Sequence, residues 1–278
     1  DILDVITPPV THPDFVRMAL GHDLTVICQK PFTPNQADAR ALVDDIQASV
    51  GKVVIHENFR FQPWYGQIKT MLESGQLGDL CQVSFRLRPG DGQGPEAYLE
   101  RQPYFQQMER FLVHETAIHL IDVFRYLFGE VTSVYAQLSK LNPVIAGEDA
   151  GIIVFDFANG KRGLFDGNRL ADHAADNRRL TMGEMLIDGS KATLRLDGDG
   201  QIYLRAHASN DESAIDDAWE NTGFGGDCVR LLQQHVVDHL LHGTALMNSA
   251  EDYLKNLAIE EAVYQSASEG RRLDIGIS

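Results

Sequence analysis

Cysteine is scarce: Cys28, Cys81 and Cys228 are the only three in 278 residues. They lie far apart and form no CxxC pair, which argues against a zinc knuckle or a disulfide framework. So few thiols suit a reducing compartment, and the cytoplasm is the expected location. Long apolar runs are missing too; none reaches the roughly 18 residues of a membrane helix. Positive charge is in short supply. Lys plus Arg is 24 against 40 Asp plus Glu, a net charge of −16. Such a chain repels phosphate backbones and anionic lipid, so neither nucleic acid nor membrane is expected as a partner. A complete dinucleotide glycine motif, GxGxxG, is also absent. Gly90-Asp-Gly-Gln-Gly-Pro95 and Gly223-Phe-Gly-Gly-Asp-Cys228 each fail at the last glycine. What remains is an ordinary globular composition, 44% hydrophobic and 23% charged.

The order of elements is legible from periodicity. Asp1 to Ile6 reads as a strand from the first residue, with Ile2 to Ile6 its buried part, and Pro13 to Leu20 as a helix stopped by Gly21. Leu24 to Cys28 is a second strand. A helix from Pro34 to about Ser49, capped by Thr33, leads to a third strand, Lys52 to His56. Strand and helix in alternation predict a parallel α/β sheet. Beyond Phe61 the pattern changes. A helix over Pro63–Ser74, a strand over Cys81–Arg88, a Gly/Pro-rich loop and a long amphipathic helix over Phe111–Phe128 follow. Then come strand-like runs at Val131–Ser139, Gly151–Phe157, Arg162–Asn168, Arg178–Asp188, Ala192–Leu196 and Gln201–Ala206. Turns such as Asn159-Gly160 and Asp199-Gly200 join several of them, as in an antiparallel sheet. Helices at Asp227–His242 and Ala250–Ser268 and a strand at Leu273–Ile277 close the chain. The fold class expected is α/β plus α+β: part of a Rossmann-like parallel sheet over residues 1–57, then a domain with a large, mainly antiparallel open sheet over residues 58–278.

Four groups of residues invite chemistry. Lys30 follows a strand of the parallel sheet and precedes Pro31. Ligands of open α/β sheets bind outside the carboxyl ends of strands, so Lys30 is a candidate catalytic cation, or else a solvated loop lysine. The run from His114 to Asp122 resembles a zinc helix at first sight. His114 and His119 are five residues apart, ~140° around a helix, and cannot share an ion; no metal is expected. Glu115, His119 and Asp122 do share a face, either a cleft or a surface stripe. Arg60 either holds an anion or a carbonyl, or is a hinge residue in an ion pair. Arg86, Arg88, Arg101 and Arg110, interspersed with Tyr98 and Tyr104, form a local basic and aromatic segment for an anionic or hydroxylated substrate or an acidic partner subunit, or else a solvated loop.

Thr7-Pro8-Pro9 with His12, Gln29-Lys30-Pro31, Asn58-Phe-Arg60-Phe-Gln-Pro63 and His119-Leu-Ile-Asp122 resemble, in order and spacing, the Gfo/Idh/MocA oxidoreductases. That resemblance implies a Rossmann domain for NAD or NADP and a second domain that binds substrate and forms the subunit interface of a homodimer or homotetramer. It implies hydride transfer at a hydroxyl-bearing carbon of a sugar, polyol or cyclitol. It casts Lys30, His119 and Glu115 as catalytic, Thr7, Pro8, His12, Gln29, Lys30 and Arg60 as cofactor-binding, and Asp122 as substrate-binding. The basic segment itself, through the bidentate grip of arginine on carboxylates, adds Arg88 as a substrate-binding candidate and a sugar acid to the substrates expected. Gln29 stands where relatives usually have Glu, and Glu115 where they have Asp. His119 is the natural base, because an imidazole ordinarily titrates at roughly 6.5. The first strand corresponds to one that in the family follows the glycine loop, so the sequence is expected to be a piece of a longer chain. A non-catalytic dinucleotide or sugar sensor of the same fold is the alternative.

Overall fold

The computed structural model describes residues 2–216 and 219–276. Asp1 and Ile277, expected within the first and last strands, lie outside the described residues. The chain divides into two compact units, residues 1–58 with 229–258 and residues 59–228 with 259–278.

The first unit holds a three-stranded parallel sheet: β1 (Ile2–Val5), β2 (Thr25–Gln29) and β3 (Val53–His56), in the order β1-β2-β3. Helix α1 (His12–Leu20) links β1 to β2, and α2 (Gln36–Gln47) links β2 to β3. The buried run Val26, Ile27 and Cys28 explains why β2 is central, since a strand covered on both faces reads as continuously apolar. Helix α2 begins two residues later than the sequence suggests. Its cap is Asn35, whose side chain accepts the Asp38 amide at 2.9 Å. The Thr33 hydroxyl instead donates to the Asn35 carbonyl.

Residues 229–258 return to this unit, whereas the sequence reading grouped them with the second domain. The reason is strand-like pairing. Ile55 donates its amide to the Asn248 carbonyl at 2.8 Å, and Val54 and Ser249 form an antiparallel bridge. The Asn248 amide group donates to the Glu57 carbonyl. Loop 243–249, between α5 (Cys228–His242) and α6 (Ala250–Glu269), thus covers an edge of β3 that no strand occupies.

The second unit is built on a nine-stranded sheet. In chain order its strands are β4 (Leu80–Leu87), β5 (Val131–Ser139), β6 (Ala150–Phe157), β7 (Arg162–Asn168), β8 (Gly183–Gly189), β9 (Ala192–Leu196), β10 (Ile202–Ala206), β11 (Ser213–Ala214) and β12 (Leu273–Asp274). The spatial order is β11-β10-β9-β8-β4-β7-β6-β5-β12, and only β4 with β7 is parallel. The expected strand at Arg178–Asp188 starts only at Gly183, with Met182 in the left-handed region just before it. One face of the sheet buries Val83, Phe85, Ile153, Phe155, Phe165, Met185, Ile187 and Leu194 in a core shared with α3 (Pro63–Glu73) and α4 (Ile118–Phe128). Among the described residues, no helix is long and apolar enough to cross a membrane.

Candidate active site

In the first unit all three strands are parallel, so their carboxyl ends lie at one edge of the sheet. Thr7 and Pro8 follow β1 there, Gln29 ends β2 with Lys30 just after it, and Glu57 and Asn58 follow β3. The Lys30–Pro31 peptide is cis. His12 pins this edge. Its ring is fully buried, with Nε2 at 2.7 Å from the Thr7 carbonyl and Nδ1 at 3.1 Å from the Phe32 carbonyl. It ties the loop after β1 to the loop after β2. The Thr11 hydroxyl adds contacts to Thr7 Oγ1 and the Pro8 carbonyl, each at 2.8 Å. The structure thus brings Thr7, Pro8, His12, Gln29 and Lys30 together. His12 serves there as an internal staple.

In the second unit the site is organised by α4 and the turn that opens it. Residues Leu112–Ala117 form a π-helical turn ahead of α4. This widening changes the rotation between Glu115 and His119, so they do not follow the single α-helical face that the sequence suggests. π-Turns of this kind recur at functional sites. His119 is buried and lies flat on Phe59, with ring centroids 4.1 Å apart and planes within 9°. The next residue along, Arg60, makes a two-pronged bond to Asp122: Nε to Oδ2 at 2.7 Å and Nη2 to Oδ1 at 2.6 Å. Both side chains are buried, 7% and 1% exposed. The short 3-10 turn Phe59–Phe61 therefore grips α4 at two positions one turn apart. Arg60 and Asp122, expected to bind cofactor and substrate respectively, are each other's partners.

Arg88 belongs to this unit too. Its guanidinium donates to the Leu87 and Asp166 carbonyls and to Asp166 Oδ2, at 2.8, 2.6 and 2.6 Å. Arg86 pairs with Glu184, and Arg110 with Glu261. The basic segment is thus largely engaged by the chain's own carboxylates.

Two clusters here carry no sequence signature. Arg169, 3% exposed, donates to both Asp91 oxygens, to Tyr98 and to Thr116 of the π-turn, and sits over the rings of Tyr98, Phe105 and Phe111. Burial opposes its charge, yet Asp91 and Tyr98 raise its pKa above the ordinary arginine value. The other cluster centres on Glu148. It accepts the amides of Phe111 and Val113 at 3.1 and 3.0 Å and the Tyr264 hydroxyl at 2.7 Å, capping the π-turn. Burial, then Glu148, pushes the Tyr264 phenol far above its usual range. His114 pairs with Glu260 at 2.6 Å. Only the fold brings residues 91, 98, 116 and 169 together, so their separation hides them from spacing arguments. Among the described residues, no group of three or more His, Cys, Asp or Glu side chains is placed to hold a metal ion.

Comparison with known proteins places this geometry. Residues 1–57 match the model of an oxidoreductase family with an NAD-binding Rossmann fold, and residues 65–195 match the GFO/IDH/MocA C-terminal domain. The chain belongs to the GFO/IDH/MocA family of oxidoreductases. A D-apiose dehydrogenase of Rhizobium rhizogenes is 32% identical over 99% of this chain and 79% of its own length. One from Paraburkholderia graminis is 32% identical over 99% of this chain and 73% of its own. An oxidoreductase from Agrobacterium radiobacter, solved with NAD+, L-tartaric acid and magnesium, superposes with a TM-score of 0.87 at 31% identity, covering 99% of this chain and 80% of that one.

Proposed function

We propose that the protein is an NAD-dependent dehydrogenase that moves a hydride between the nicotinamide and a hydroxyl-bearing carbon of a neutral sugar or polyol, D-apiose being the first candidate. The observation that carries this reading is the His119 arrangement, an imidazole held flat by Phe59 on a helix anchored by Arg60–Asp122, in a chain 32% identical to D-apiose dehydrogenases. The donor set at the carboxyl edge of β1–β3 fits the ribose and carboxamide end of a dinucleotide. Thr7 and Gln29 offer hydrogen bonds, and Lys30 offers a cation. When bound, the cofactor supplies the hydride acceptor.

This chain's residues do the proton chemistry. An imidazole nitrogen of His119 takes the hydroxyl proton as the carbon–hydrogen pair leaves as hydride, so the alcohol becomes a carbonyl. Lys30 donates a hydrogen bond to that oxygen and stabilises its developing negative charge. Glu115 holds a neighbouring hydroxyl or orients the imidazole. Arg60, Asp122 and His12 act through the residues that they position. The engagement of Arg88 by Asp166 supports a neutral substrate over a sugar acid.

The test is NAD+ reduction with a panel of aldoses, polyols and sugar acids, in wild type, Lys30→Ala and His119→Ala. Turnover that falls in kcat by on the order of 10²-fold or more in each variant is expected. Near-normal kcat in His119→Ala would remove the base. Cofactor binding without turnover of any substrate would favour the sensor.

A further inference from the structure

The glycine-rich stretch Gly223–Asp227, rejected as a phosphate loop, lies beside the imidazole's stacking partner. Gly223, Gly225 and Gly226 have φ of 75°, 56° and 66°, and Asp227 has 68°. A Cβ on Gly225 would fall 2.8 Å from Gln62 Nε2, and one on Gly226 would fall 2.6 Å from Pro63 Cδ. Both backbone conformation and space demand glycine there. These glycines let the loop close against Gln62–Trp64, which follow the 3-10 turn carrying Phe59. The side chain displayed between them is Phe224. Its ring centroid is 6.2 Å from that of Phe59, at 51°. His119, Phe59 and Phe224 thus form a continuous run of rings. Phe59 is buried, while Phe224 remains 41% exposed.

An aromatic ring held on a fixed loop, exposed and one ring removed from the His119 imidazole, calls for an apolar surface to cover it. A cyclic sugar has one: its ring hydrogens, gathered on one face, are apolar and slightly positive, and match the negative face of a phenyl ring. An open-chain polyol has no such fixed face, and a carboxylate is repelled by it. We propose that Phe224 is a specificity-determining residue that stacks on the C–H face of a cyclic sugar. This rests on the assignment of His119 to the active site.

The experiment measures D-apiose and open-chain threitol with Phe224→Ala, Phe224→Leu and Phe224→Tyr. Steady-state kinetics are paired with calorimetric titration of each ligand into NADH-saturated protein, which cannot oxidise it. Phe224→Ala and Phe224→Leu are expected to raise KM and Kd for D-apiose about tenfold, with kcat within about threefold, the pattern of lost uniform binding. Phe224→Tyr keeps a ring and restores affinity. Values for threitol and for NAD+ stay within twofold. Phe224→Leu keeps bulk in the loop, so it separates loss of the ring face from loss of packing. An unchanged D-apiose affinity in Phe224→Ala overturns the proposal while leaving the dehydrogenase reading intact. Binding that depends on Phe224 without turnover sinks the dehydrogenase reading and keeps the stacking role. No binding of D-apiose by wild type overturns the stacking proposal for this sugar, while the dehydrogenase reading falls only if no sugar or polyol of the panel is turned over.

Discussion

Arg60 and Asp122 are joined by two charge-assisted hydrogen bonds, at 2.6 and 2.7 Å, with both side chains withdrawn from water. The guanidinium also lies 5.3 Å from the centre of the Tyr126 ring. The pair matters because its neighbours in sequence matter. Phe59 precedes Arg60, and His119 lies one helical turn before Asp122, so a rigid pair fixes the Phe59–His119 stack beside it. Such a pair contributes little over a well-packed apolar substitute, but half of it alone is costly, since a buried charge is left uncompensated.

Asp122→Asn or Arg60→Met should therefore destabilise the protein by about 3–5 kcal/mol. The double replacement Arg60→Met with Asp122→Leu should recover much of that loss in urea unfolding. Single variants that lose under 1 kcal/mol would show that the pair is solvated. In the folded singles, kcat should fall more than KM rises, because the imidazole loses its fixed plane.

Much of this was legible in the sequence. Val131–Ser139, Arg162–Asn168 and Ala192–Leu196 form the strands that their alternation marks, and Lys30 falls at a strand end as spacing implies. What escaped is non-local or depends on fine geometry. Loop 243–249 has no strand pattern, and only the exposed edge of β3 makes it pair there. The π-turn at Leu112–Ala117 is invisible to a 3.6-residue period. The arginines at 86, 88 and 110 have carboxylate partners that are distant in sequence, reached only when β7, β8 and α6 come alongside.

Arg169 is the second buried cation whose loss should be felt. It joins the loop at Asp91 and Tyr98 to Thr116 in the π-turn. Arg169→Met should cost about 3 kcal/mol, from the unpaired partners left behind. It should also expose residues 91–107 to limited proteolysis. Arg169→Lys should not rescue, because an ammonium lacks the planar fork that reaches three partners at once. Wild-type protease resistance in Arg169→Met would show that the segment is held by the Phe105, Phe111 and Ile145 cluster alone.

The thiols offer a separate check. Cys81 is exposed, whereas Cys28 and Cys228 are buried. Burial first, and Asp4 second, push the Cys28 thiol up to about 12 from an ordinary 9.0. Ellman's reagent should titrate one thiol per native chain and three in urea. The raised value also sets a pH dependence. The unfolded thiol ionises near 9 while the folded one keeps its proton, so this group's stabilisation is complete below pH 9 and is lost as pH rises to about 12. Cys28→Ala should flatten that part of the stability profile, and an unchanged slope would assign the loss to other groups.

The last expectation concerns the open face of the large sheet. Cross-strand partners trace one row over seven strands: Tyr135, Val154, Leu164, Ser84, Leu186, Arg195 and Tyr203. Successive side chains along a strand alternate between faces, so the row lies opposite Phe85, Phe155, Phe165 and Met185, which fill the core. Tyr135, Val154, Leu164 and Leu186, with Ile152 at 47% exposure, give that outer face an apolar stripe. A second copy of the same face would satisfy it with twofold symmetry, because each stripe would then be covered by its own equivalent. Ionic rims at Arg86–Glu184 and Arg195–Glu212 would flank the contact. Light scattering should find a dimer or a multiple of one at micromolar concentration. Leu164→Arg with Leu186→Arg should shift it to monomer while the fold persists by circular dichroism, since both side chains point away from the core. A monomeric wild type, or a double variant that still associates, would move the interface off this sheet.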